Sequence, residues 1–161
     1  MTTVTPFLWY DSELERAIER YGAVFGRENV RLVEATHHDD AGPGTPRTLF
    51  FATFEVFGQR VMGMNAGPQY PQTEAFSFFV LCPDDQDVVD RYWEGLVADG
   101  GAESMCGWLK DPWGVSWQIV PEALMRLQAD PDRAAAERVR QAMLGMGKIV
   151  IAELEAAFRG E

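Results

Sequence analysis

The chain repeats itself, and that repeat restricts the possible folds more than any other feature of the sequence. Ala17-Ile18-Glu19-Arg20-Tyr21 matches Val88-Val89-Asp90-Arg91-Tyr92, and Gly58 holds the place in the first half that Gly114 holds in the second. Self-similarity over tens of residues points to a duplicated supersecondary unit whose apolar face is buried only when another layer covers it. A length of 161 residues and 47% hydrophobic content suit one compact domain with a full core.

Each half is read from its periodicity. Phe7, Leu8 and Trp9 open as a strand, and Ser12 followed by Glu15 reads as a capping box that starts a helix. Leu14, Ile18, Tyr21 and Phe25 then line one helical face, which Gly26 is placed to end. Val30 to Ala35 reads as the next strand, and His37 to Arg47 as a Gly/Pro/Asp-rich loop. Leu49 to Phe57 alternates, with Phe50, Ala52, Phe54 and Val56 on one side, and Gly58 turns the chain into Val61 to Met64. The second half runs through a strand at Ala75 to Leu81, a helix start at Pro83-Asp84-Asp85, and a helix end at Gly100-Gly101. Strands follow around Met105 to Leu109 and from Val115 to Val120, joined through Asp111-Pro112-Trp113-Gly114.

The expected fold is therefore α+β, with two βαβββ units at 1–66 and 67–120 forming a curved, cup-like mixed sheet, and a helical tail at 121–161. In the tail, Ala136, Val139, Met143 and Met146 form one stripe and Ile151, Leu154 and Phe158 another, separated by Gly145-Met146-Gly147.

Charge removes one class of partner. The net charge is −11, and the tail holds six Lys/Arg against seven Asp/Glu, so nearly all of the excess lies on residues 1–120. No cationic cluster is present to neutralise phosphates or anionic lipid, so neither nucleic acid nor a membrane surface is expected as a partner. There is no apolar run near the roughly 18 residues of a membrane span, and no Lys or Arg precedes Arg16, so a cytoplasmic location is expected. Two cysteines, Cys82 and Cys106, are too few for a disulfide framework.

Three runs carry a resemblance to a known family. These are Asp90-Arg91-Tyr92-Trp93, Cys106-Gly107-Trp108-Leu109-Lys110-Asp111, and Gly114-Val115-Ser116-Trp117-Gln118-Ile119-Val120-Pro121. Together they resemble the PhnB-like, glyoxalase-related branch of the vicinal-oxygen-chelate superfamily, and Met143, Lys148, Ile149, Leu154 and Ala157 extend the likeness into the tail. Some members of that branch carry a demethylubiquinone methyltransferase label. The residues do not support it here, because Gly42-Pro43-Gly44 and Gly145-Met146-Gly147 lack the strand-to-helix context of an adenosylmethionine turn. The resemblance also implies a homodimer.

Metal-dependent members of the superfamily hold a divalent ion with His, Glu or Gln from the first and last strands of each unit. At the corresponding places this chain has Thr5, Pro6 and Leu8, then Met62 and Met64, then Ala75 and Phe76. Only Gln118, four residues after Gly114, stands where a ligand is implied, so neither a bound metal nor any other cofactor is expected. His37 and His38 are neighbours on a strand or loop and point to opposite sides. Ser116 and Cys106 have no base evident beside them.

The candidate pocket residues are Gln118, Trp9, Asn65, Glu74, Phe78, Trp108 and Trp117. In the last strand Ser116, Gln118 and Val120 alternate with Val115, Trp117 and Ile119, and the family arrangement turns the first set into the cup. Gln118 reads equally as a ligand-orienting amide or as a core amide. The favoured function is small-molecule binding without the usual metal. An enzyme of lyase, isomerase or transferase type using a non-metal or degenerate site, and a dimeric scaffold with a vestigial pocket, are the alternatives.

Overall fold

The computed structural model describes residues 2–39, 45 and 47–161. Two compact units divide it, residues 1–72 and residues 73–161. The fold is α+β, with two unclosed four-stranded mixed sheets and a set of C-terminal helices, as a duplicated βαβββ unit requires.

In the first unit, β1 (Phe7–Tyr10), α1 (Leu14–Phe25), β2 (Val30–His37), β3 (Leu49–Val56) and β4 (Gln59–Asn65) build a sheet ordered β1-β4-β3-β2. β1 runs parallel to β4, and the other pairs are antiparallel. The apolar stripe of α1 buries Leu14, Ala17, Tyr21, Val24 and Phe25 against one face, where Leu8, Tyr10, Ala52, Phe54, Val56 and Val61 are also buried. Fully burying each large side chain here is worth roughly 1.5–3 kcal/mol, so this helix-on-sheet layer dominates the unit's stability. The Tyr10 and Tyr21 hydroxyls satisfy each other inside it at 3.1 Å.

The capping box at Ser12 and Glu15 does not form. Glu13 precedes α1 in a left-handed conformation (φ 68°) with no side-chain cap, and Asn65 of β4 supplies the acceptor for Leu14 N–H at 3.0 Å. Glu15 instead accepts from Leu49 N–H at 3.1 Å, so its carboxylate ties α1 to β3. β2 extends two residues beyond Ala35, because Thr36 pairs with Phe51 and, after a shift in register, His37 pairs with Leu49. Most of the Gly/Pro-rich loop, including Gly42-Pro43-Gly44, lies outside the described residues.

The second unit repeats the plan with β5 (Ser77–Cys82), α2 (Gln86–Val97), β6 (Ala102–Glu103), β7 (Trp108–Lys110) and β8 (Ser116–Pro121), ordered β5-β8-β7-β6. β5 and β8 are parallel, matching β1 and β4. Gly58 and Gly114 both adopt positive φ (78° and 84°) in the turns ahead of β4 and β8, the region that favours glycine. The helix start at Pro83-Asp84-Asp85 resolves to Asp85 as the N-cap, which accepts from Asp87 N–H at 3.0 Å.

The strand expected around Met105 to Leu109 is split. Cys106 and Gly107 are both left-handed (φ 58° and 82°), and a Cβ at position 107 would lie 2.9 Å from the carbonyl oxygen of Ile119. The chain bends there, leaving short strands β6 and β7 on either side. Cys106 N–H and Gly107 N–H then donate to the carbonyls of Met146 and Gly147 at 2.7 and 2.8 Å.

After β8 come α3 (Glu122–Gln128), which the tail's periodicity did not reveal, α4 (Arg133–Leu144) and α5 (Ile151–Arg159). Their shared core is Val120, Ala123, Leu124, Leu127, Val139, Met146, Ile149 and Leu154. The tail therefore packs within its own unit. Gln86 fastens it, donating to the carbonyl of Ile149 at 3.1 Å and accepting from Ile151 N–H at 2.9 Å. No helix among the described residues is long and apolar enough to cross a membrane.

Candidate functional site

Strand register sorts the candidate residues by face. In the second unit Ser77 pairs with Ser116, Phe79 with Gln118, Trp108 with Gln118, and Lys110 with Ser116, so these side chains share one face of the sheet. That face is the open one: Phe79 and Leu81 are 50% and 53% exposed, whereas Leu109, Trp117 and Ile119 on the other face are buried. Gln118 and Trp108 are therefore brought together. Gln118 Nε2 donates to the Ser77 hydroxyl at 2.9 Å, which leaves the hydroxyl hydrogen of Ser77 available.

Glu74 joins this face through an ion pair. Its carboxylate lies 2.5 Å from Lys110 Nζ. Hydrogen bonding from the Lys110 ammonium holds the Glu74 carboxyl below the usual carboxylate range. Glu74, Ala102, Glu103, Ser104, Trp108, Leu109, Lys110 and Ser116 line a cleft of about 180 Å³. Ser116 is only 1% exposed, and its hydroxyl has no hydrogen-bond partner.

Phe78 and Trp117 also come together, with ring centroids 4.8 Å apart, but on the opposite face. Trp117 is buried, and its indole N–H donates to Asp111 at 3.0 Å. The other Asp111 oxygen accepts from the N–H groups of Trp113 and Val115 at 3.0 Å each. The Asp111-Pro112-Trp113-Gly114 turn is thus held around a buried carboxylate.

Trp9 and Asn65 belong to the first unit. Phe7, Trp9, Phe51, Met62 and Met64 share the face away from α1 by register. Trp9 is half-buried, and its indole N–H donates to the carbonyl of Gly67 at 2.7 Å. Tyr70 meets its ring edge-on at 4.9 Å, so the segment after β4 folds over it. Asn65 uses both ends of its amide, accepting from Leu14 N–H and donating to the carbonyl of Leu49 at 3.0 Å.

Ser77 and Phe79 stand on this face although neither is among the candidate residues. The signal was present in β5: once Phe78 is assigned to the core face, strict alternation puts Ser77 and Phe79 on the other. Which faces were open was not readable before the strands had been paired.

A divalent metal needs oxygen, imidazole or thiolate donors that converge on one point. Among the described residues no group of three or more His, Cys, Asp or Glu side chains is arranged to hold one. On the open faces the first and last strands present Phe7 and Trp9, Met62 and Met64, Ser77 and Phe79, and Ser116 and Gln118. Thioethers, rings, hydroxyls and a single amide do not fit the oxygen and imidazole preferences of such an ion.

The model of the 3-demethylubiquinone-9 3-methyltransferase family matches residues 2–120. The chain belongs to this family. Among solved structures it is similar to a Bacillus cereus PhnB protein described under the same methyltransferase name, at 30% identity and a TM-score of 0.66, covering 74% of this chain and 99% of that one. Protein PA1353 of Pseudomonas aeruginosa is 19% identical with a TM-score of 0.59, covering 75% and 98% respectively. A fosfomycin resistance protein, FosX, of Listeria monocytogenes, solved as a mutant with Mn(II) and 1S,2S-dihydroxypropylphosphonic acid, is 13% identical with a TM-score of 0.52, covering 73% and 90%. These last two likenesses are of fold alone; the family match and the PhnB likeness bear out the expected PhnB-like branch of the vicinal-oxygen-chelate superfamily. None of the curated proteins matches the chain.

Proposed function

We propose that the protein binds a small molecule on the open face of its second sheet, without a catalytic metal. The observation that carries this reading is the Gln118–Ser77 pair, half-buried between the exposed ring of Phe79 and the side chain of Trp108. Gln118 Nε2 is held by Ser77 while its Oε1 has no partner among the described residues, so one amide oxygen is oriented and available. Aromatic surface with a few fixed polar groups is the usual composition of a small-molecule site. Phe79, Trp108 and the Glu74–Lys110 pair complete it in this reading.

Methyl transfer is not part of the reading despite the family's name. Each sheet has one parallel pair and no Gly-rich turn from a parallel strand into a helix. Gly145-Met146-Gly147 lies between α4 and α5, where the Met146 and Gly147 carbonyls hold the 106–107 bend. An open-face enzyme of lyase, isomerase or transferase type, or a scaffold with a vestigial pocket, is decided by the same experiment. The protein is also read as cytoplasmic and as a homodimer; light scattering checks the dimer, with twice the 18.1 kDa chain mass expected.

The test is thermal unfolding after chelation, first with Ni, Zn, Mn and Mg and then with a small-molecule panel. A ligand specific to the native state must raise the midpoint. Panel hits that raise it in wild type but not in Gln118→Ala, with no metal effect, are the expected result. A large shift with metal, or hits that bind Gln118→Ala equally well, overturns the reading. Turnover of any hit assigns the enzyme alternative; a panel without hits assigns the scaffold.

A further inference from the structure

Ser116 is the one buried side-chain polar atom among the described residues with no partner, and it lies in the cleft wall beside a lysine. A buried hydroxyl of this kind calls for an explanation, because the group has lost its water and gained nothing in return. Lys110 is its cross-strand neighbour on the same face, so the lysine stem runs beside Ser116 and its ammonium reaches Glu74 at 2.5 Å. Glu74 sits in the short segment ahead of β5, and its side chain is 65% exposed. It can therefore leave Lys110 without disturbing a strand. Trp108 supplies an aromatic wall, and no acceptor among the described residues takes its indole N–H. The cleft wall thus holds three donor-bearing side chains, Lys110, Ser116 and Trp108, and the first of them is paired with a carboxylate that the chain itself provides. Glu103, the second acid of the lining, is already engaged by the indole of Trp93 at 2.9 Å.

We propose that Glu74 stands in for a ligand carboxylate, and that this cleft takes a small aromatic carboxylate which displaces Glu74 from Lys110 and accepts a hydrogen bond from Ser116. The inference rests on the open-face reading above and names its ligand class. A volume of about 180 Å³ is below the roughly 300 Å³ of sites for drug-sized ligands, which restricts the occupant to a single-ring molecule. Reaching Ser116 Oγ requires the Lys110 stem to move aside, and that is what exchange of its partner permits. Because the chain's own carboxylate competes for the ammonium, removing it tightens binding.

Isothermal titration of the full chain with benzoate, and with benzylammonium as the cation of matched size, tests this. Benzoate is expected to bind wild type weakly and Glu74→Gln several-fold more tightly. Lys110→Met and Ser116→Ala are each expected to lose about tenfold, as removal of one hydrogen bond to a charged group implies. Unfolding midpoints of all four proteins show that the variants fold. Unchanged benzoate affinity in Ser116→Ala, with the hydroxyl serving only a trapped water, overturns the proposal. Binding of benzylammonium in preference overturns the carboxylate class while leaving the open-face reading intact. Absence of both probes from wild type and Glu74→Gln also overturns it. If benzoate binds through Lys110 and Ser116 but is indifferent to Gln118→Ala, the cleft stands and the role given to Gln118 falls.

Discussion

Asn65, the last residue of β4, accepts a hydrogen bond from the backbone N–H of Leu14 at 3.0 Å and so does for α1 what a local cap does for most helices. Its amide N–H donates to the Leu49 carbonyl at the same distance, so one side chain joins α1, β3 and β4. Asn65→Ala leaves both backbone groups without their partner and is expected to cost about 1–3 kcal/mol. Asn65→Asp keeps an acceptor at the helix N-terminus but loses the donor, and should fall between wild type and Asn65→Ala. Urea unfolding of the three proteins checks the order.

Asp111, in the second unit, is a buried carboxylate that accepts from two backbone N–H groups and the Trp117 indole. Asp111→Ala strands all three donors in the interior and is expected to destabilise the chain by about 3 kcal/mol or more. The near-ultraviolet circular dichroism of the buried indole should weaken with it. A fully retained stability would show that water replaces the carboxylate.

Gln86 links the start of α2 to the tail by two hydrogen bonds, to Ile149 and Ile151, and donates another to Asp90 one turn along α2. Lys148 adds an ion pair with Asp90 at 2.8 Å on a partly exposed surface, where such pairs contribute roughly 0–1 kcal/mol. The glutamine is therefore the stronger fastening. Gln86→Leu is expected to cost about 1–3 kcal/mol and to speed hydrogen exchange at Ile151 more than at core β8 amides.

Burial pushes the Cys82 thiol up to about 11. The folded chain keeps the proton where the unfolded chain, with an ordinary thiol near 8.5, releases it. The stability linked to this group is therefore complete below the unfolded pKa and is lost as pH rises through the folded one. Between pH 8.5 and about 11, wild type should lose stability more steeply than Cys82→Val. Native Cys82 should also resist iodoacetamide at pH 8 and react once the chain unfolds, because the thiolate is the nucleophile.

Periodicity and duplication encode part of this fold in the chain itself. The alternation of β3 and β8, the stripe of α1, the glycines ahead of β4 and β8, and the break at Gly145-Met146-Gly147 are local patterns, and local patterns are present in the chain before it folds. They carried the α+β class and the paired units. What each side chain faces depends on which strands and helices are packed together. Asn65 and Glu15 became interelement clips because strands far apart in sequence were brought beside α1, and Phe78 was separated from Gln118 because β5 and β8 pair in parallel register. The 104–107 bend exists because the tail's carbonyls at 146 and 147 meet two left-handed residues, a partnership between segments 40 residues apart. Ser116 shows the difference most clearly. Its place on the open face follows from counting along β8, but a hydroxyl is orphaned only by the packing of everything around it.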